Sequence, residues 1–144
     1  MTTGPAFPDT STPAPPAPPP PRPPAVELAA AILIVGGIVN LVGAFLAAAT
    51  TTGEGDAFLW LTLVLNATSV TLGVLTRMGR LWLITVNFAA ILGFLDLLGA
   101  SVNPAALMLG LAEVLVVVIL IRHKPWFDEL RRWRATALDR GRIR

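Results

Sequence analysis

The stretch 103–121, NPAALMLGLAEVLVVVILI, restricts the fold of this chain more than any other feature. Its nineteen residues carry one ionisable side chain, Glu113, and end against Arg122-His123-Lys124. As a helix rising about 1.5 Å per residue, the run reaches nearly across the roughly 30 Å hydrocarbon core of a bilayer. Within hydrocarbon each backbone N–H and C=O must find its partner inside the segment, so a helix is the solution open to it. An acid near the middle of such a helix is costly, and it must face protein or water.

Three further runs have the same character. The run 26–49 is 24 residues long and apolar or small throughout except at Glu27 and Asn40, long enough to span with some tilt. Pro24 suits a first helical position and Glu27 suits a first turn. Ala47-Ala48-Ala49 resembles a signal-peptidase site. The apolar core, however, is longer than the roughly 7–15 residues of a signal peptide, so a retained span is expected. The runs 57–76 and 81–100 follow, with Trp60 and Trp82 placed for an interface belt. Between the runs lie a short polar loop containing Glu54 and Asp56, the basic turn Arg77-Met78-Gly79-Arg80, and the uncharged Ser101-Val102. Asn103 suits an N-cap and Pro104 a first helical residue. The expected fold is all-α: a polytopic membrane protein with a four-helix transmembrane bundle over 25–122. Composition agrees, because only 14% of residues are charged, against roughly 25% in soluble domains.

Both flanks differ from this core. Residues 1–24 hold eleven of the thirteen prolines. Proline lacks an amide hydrogen and has a fixed φ, so a disordered tail rich in polyproline II is expected. At the other end, 123–144 is basic. Trp126, Leu130, Trp133 and Ala137 recur at helical spacing, opposite Arg131, Arg132 and Arg134. This pattern predicts an amphipathic helix lying in the membrane interface, with Trp126, Trp133, Arg131, Arg132 and Arg134 as lipid-interface anchors.

The basic residues also predict sidedness. Of eleven Lys and Arg, one precedes the first span, two lie in the 77–80 turn and eight follow residue 121. Lys and Arg are retained on the cytoplasmic side, so both termini and the middle turn are expected there, in a multi-pass protein of the cell membrane. The partners this implies are anionic lipid headgroups, with no nucleic acid despite the pI near 10.4. A protein partner or a second copy of the chain is a further expectation.

Polar residues at membrane depth are the candidate site: Glu113, Asp96, Asn40, Asn66 and Asn87. Depth counted along each helix predicts two layers, Glu113 with Asn66 and Asn87 inward, Asp96 with Asn40 nearer the outer face. Helical phase puts most of them on small-residue stripes: Ala106, Gly110, Glu113 and Val117; Thr62, Asn66, Ser69 and Gly73; Ala89, Gly93, Asp96 and Ala100; Gly36, Asn40 and Ala44. Small residues at these spacings let helices approach closely. Asn87 falls on the opposite face of its span. Asn40-Leu41-Val42-Gly43-Ala44 also resembles Asp96-Leu97-Leu98-Gly99-Ala100, which suggests two tandem hairpins.

No catalytic, cofactor or metal signature accompanies these groups. There is no cysteine, and the single histidine, His123, sits in the basic step after the last span. The expected role is a non-enzymatic accessory or scaffold component acting through protein and lipid contacts. The alternative is a small transporter or ion and proton pathway using Glu113.

Overall fold

The computed structural model describes residues 17–50, 56–101 and 104–142. The tail 1–16, Glu54 and the expected N-cap Asn103 lie outside the described residues. Five helices make up the fold: α1 (Pro24–Thr50), α2 (Asp56–Arg77), α3 (Trp82–Gly99), α4 (Pro104–Arg122) and α5 (Lys124–Arg142). No strand occurs among the described residues. The first four helices are long and apolar enough to cross a membrane, so the chain is an all-α multi-pass membrane protein. Large apolar side chains cover the outside of all four, among them Phe45, Trp60, Ile91 and Met108. A surface of that kind is stable against lipid and not against water.

The bundle is two tight antiparallel hairpins, α1 with α2 and α3 with α4, joined mainly through α1 and α4. Glycines set both hairpin contacts. A Cβ on Gly37 would fall 2.9 Å from the Asn66 carbonyl oxygen, and one on Gly73 would fall 3.0 Å from the Ala30 carbonyl oxygen. A Cβ on Gly110 would fall 3.1 Å from the Gly93 carbonyl oxygen. These helices therefore touch backbone to backbone, the packing expected where no hydrophobic driving force pushes helices together. Hydrogen bonds add ties across the bundle. Ser69 Oγ donates to the Leu33 carbonyl at 3.1 Å, Thr76 Oγ1 to Thr85 Oγ1 at 3.1 Å, and Trp82 Nε1 to the Leu120 carbonyl at 2.8 Å. Two hairpins are present, but α1 packs on α4 far more than α2 packs on α3. A strict twofold repeat would make those contacts equal.

The α2–α3 turn explains the basic Arg77-Met78-Gly79-Arg80 sequence. Gly79 N–H donates to the Thr76 carbonyl and Arg80 N–H to the Leu75 carbonyl, both at 2.8 Å. This is a Schellman stop, and it requires the left-handed φ of 66° that Gly79 adopts. Leu81 follows at φ 53°, a conformation costing a side-chain-bearing residue about 1–2 kcal/mol. Its carbonyl offsets part of this by accepting from both Thr85 N (2.9 Å) and Thr85 Oγ1 (3.1 Å).

The apolar face of the terminal helix α5 packs against the end of the bundle. Trp126, Phe127 and Leu130 are buried in the same core cluster as Val26, Ala29, Val116 and Leu120. Leu130 and the Trp126 ring lie against Gly79, which has no side chain to hold them off. Trp126 is thus a core residue and not a lipid anchor. Trp133 packs at the edge of this cluster and donates its indole N–H to the Ala17 carbonyl at 2.7 Å. Arg134 donates to the Gly79 carbonyl at 3.2 Å and also to the Met78 carbonyl, so it fastens α5 to the turn. Of the expected anchors, Arg131 and Arg132 remain exposed. Asp128 accepts from Lys124 at 3.1 Å and from Arg131. The Lys124 hydrogen bond, followed by that of Arg131, holds the Asp128 carboxyl below its usual range.

The glycine contacts yield a stability test with an internal control. Gly110→Ala drives a methyl into Leu97 and the Gly93 carbonyl, and Gly37→Ala drives one into the Asn66 carbonyl and Val70. Each is expected to destabilise the bundle by about 1–3 kcal/mol, read from unfolding in detergent. Gly43 has nothing within 4 Å of its Cβ position, so Gly43→Ala should be neutral or stabilising. Equal losses at all three positions would contradict this packing.

Candidate intramembrane polar site

Residues from all four spans meet around Glu113. Its side chain rests on α3 at Gly93, where a Cβ would lie 3.2 Å from Glu113 Cβ and 3.5 Å from Glu113 Oε2. Glycine at 93 is what admits a glutamate stem here. Asp96, one turn further along α3, brings its carboxyl beside that of Glu113. Two carboxyls this close repel when both are ionised, so their protonation is coupled. Glu113 Oε2 is sealed from solvent without an aligned hydrogen-bond partner among the described residues.

On its other side Glu113 borders a small cavity between α1, α2 and α4. Its volume is about 30 Å³, and Asn40, Asn66, Ser69, Gly36 and Gly37 contribute to its walls. That space holds roughly one or two waters. Apolar residues, including Ile32, Leu33 and Leu109, complete the lining. Asn66 is oriented by its own helix, Nδ2 donating to the Thr62 carbonyl at 2.8 Å. Ser69 is committed to the Leu33 carbonyl across the α1–α2 contact. All the polar side chains of the site present oxygen or amide groups. Among the described residues no three His, Cys, Asp or Glu side chains cluster as metal ligands.

Of the five polar residues singled out in the sequence, four come together: Glu113 and Asp96 as a pair, with Asn40 and Asn66 across the cavity from the pair's Glu113 side. Asn87 does not join them. It is exposed on the outer face of α3, where Nδ2 donates to the Leu83 carbonyl at 2.8 Å. The two-layer expectation is also corrected, because Asp96 and Glu113 meet. Side chains on a helix lean toward its N-terminus. The antiparallel α3 and α4 therefore tilt these two carboxyls toward each other, which a count along Cα positions misses. The buried Thr76–Thr85 bond and the Trp82 bond to Leu120 lie outside the small-residue stripes. No sequence pattern marked them.

A hydrophobic carbodiimide tests whether the pair carries a proton, since it reacts with protonated carboxyls within membranes. It should modify the Glu113–Asp96 pair ahead of the exposed carboxylates Glu129 and Asp139, as mapped by mass spectrometry. Glu113→Gln should remove most of that product. Modification confined to Glu129 and Asp139 would contradict a shared proton. No family model, curated protein or solved structure matches this chain.

Proposed function

We propose that this chain is a small non-enzymatic membrane protein that takes up a proton or a small desolvated cation at Glu113, as part of an ion or proton pathway. One observation carries the reading: Glu113 Oε2, buried without an aligned partner, stands beside a second carboxyl and a cavity flanked by Asn40 and Asn66. A structural acid would be expected to saturate its hydrogen bonds. The cavity is too small for an organic solute, so the substrate class is a proton, carried with water, or a bare monovalent cation. Amide and carboxyl oxygens suit such hard cations. The proposed orientation places both termini and the 77–80 turn in the cytoplasm. Supporting it, these three elements share one end of the bundle, through Trp133 with Ala17, Arg134 with Gly79 and Glu27 with Arg77. Arg131 and Arg132 then face anionic headgroups.

The second reading is an accessory or scaffold component acting through protein and lipid contacts. It is favoured by the structured basic end, where α5 and the proline segment present a surface beyond the spans. Reconstituted liposomes separate the two. With an imposed proton or sodium gradient, the wild type should conduct, and Glu113→Gln should slow the flux at least about tenfold. Asp96→Asn should slow it less. Flux retained in Glu113→Gln would remove Glu113 from any pathway. Absence of flux in the wild type would leave the accessory reading.

A further inference from the structure

Residues 17–23 run without helix or strand from beside Trp133 to the start of α1. They include Pro18-Pro19-Pro20-Pro21. Four successive prolines have fixed φ and no amide hydrogens, which favours a polyproline II segment with its carbonyls unpaired. Two side chains of the folded body read this segment. Trp133 Nε1 donates to the Ala17 carbonyl at 2.7 Å, and Glu27 Oε2 accepts from Arg22 Nη1 at 2.7 Å. Five residue steps at roughly 3.1 Å put these contacts about 15 Å apart.

Both reading groups are held by something other than the segment. Arg77 Nε binds the other oxygen of Glu27, Oε1, at 2.7 Å, so α2 orients the carboxylate. Trp133 stands on α5, which Leu130 and Arg134 fasten to the Met78-Gly79 turn. An aromatic ring that offers an N–H is the means by which grooves read proline-rich peptides, and an acid beyond it can select a basic flank.

We propose that Trp133 and Glu27 form a binding site for a polyproline II peptide ending in arginine, occupied in cis by residues 17–22 and open to exchange. The contacts sit at the surface: Pro18, Pro19, Pro21 and Arg22 are exposed. Exposed contacts are individually weak, so the segment can leave without disturbing the core. The tether gives it a millimolar-range effective concentration, and a free peptide competes poorly until the segment is disabled.

The test uses the full chain in nanodiscs. The variant Pro18→Gly, Pro19→Ser, Pro20→Gly, Pro21→Ser, Arg22→Gln removes both the polyproline run and the arginine contact, and leaves Trp133 and Glu27 intact. A fluorescent peptide of residues 17–22 should bind this variant at least about tenfold more tightly than the wild type, by anisotropy. Adding Trp133→Phe, which keeps a ring but loses the N–H, should weaken binding at least about tenfold. Replacing the peptide's arginine with glutamine should weaken it comparably, without any change to the protein. No binding to the disabled variant would overturn the proposal, as would binding indifferent to either change.

Discussion

Backbone-to-backbone contact at glycine is the constraint on which the rest of this structure depends. Gly37 and Gly73 bring α1 against α2, and Gly93 and Gly110 bring α3 against α4. Lipid supplies no hydrophobic drive for helices to associate, so close van der Waals packing and buried hydrogen bonds must do it. The same glycines determine which side chains end inside. Gly93 leaves room for Glu113, Gly37 packs against the Asn66 backbone, and Gly110 lets α4 close on α3 so that Glu113 meets Asp96. The polar site is therefore a product of the helix packing and not an addition to it.

A second level of organisation sits at the basic end. Here Trp126, Phe127 and Leu130 of α5 close the core over α1, α3 and α4. Glu27, Arg77, Arg134 and Trp133 knit the N-terminal segment, the α2–α3 turn and α5 together. The exposed ion pairs add little individually. The value of the Glu27–Arg77 pair and of the Trp133 and Arg134 hydrogen bonds is in register: each joins elements far apart in sequence at one end of the bundle. The opposite end has no comparable cap among the described residues.

Much of this was legible from hydropathy and spacing alone. The four spans lie within about two residues of the apolar runs, as expected when length and bilayer thickness dictate the helix. The stripe containing Gly93 and Asp96 and the stripe containing Gly110 and Glu113 do face each other. Three features were not legible. Depth counted along Cα positions ignores the lean of side chains, so it separated Asp96 from Glu113. Amphipathicity reports that α5 has an apolar face but not what covers it, so Trp126 read as a lipid anchor when Gly79 and the core receive it. The Trp133 contact with Ala17 joins residues 116 apart through a single carbonyl, and no periodicity encodes that.

Asp96 and Glu113 lie side by side across the α3–α4 contact, where each carboxyl bears on the other. A double-mutant cycle measures this directly, with unfolding free energies in bilayer-like micelles for Asp96→Ala, Glu113→Ala and the double variant. The expected coupling energy is on the order of 1 kcal/mol, in the range found for polar pairs inside membranes. Additive losses, agreeing within about 0.3 kcal/mol, would contradict it.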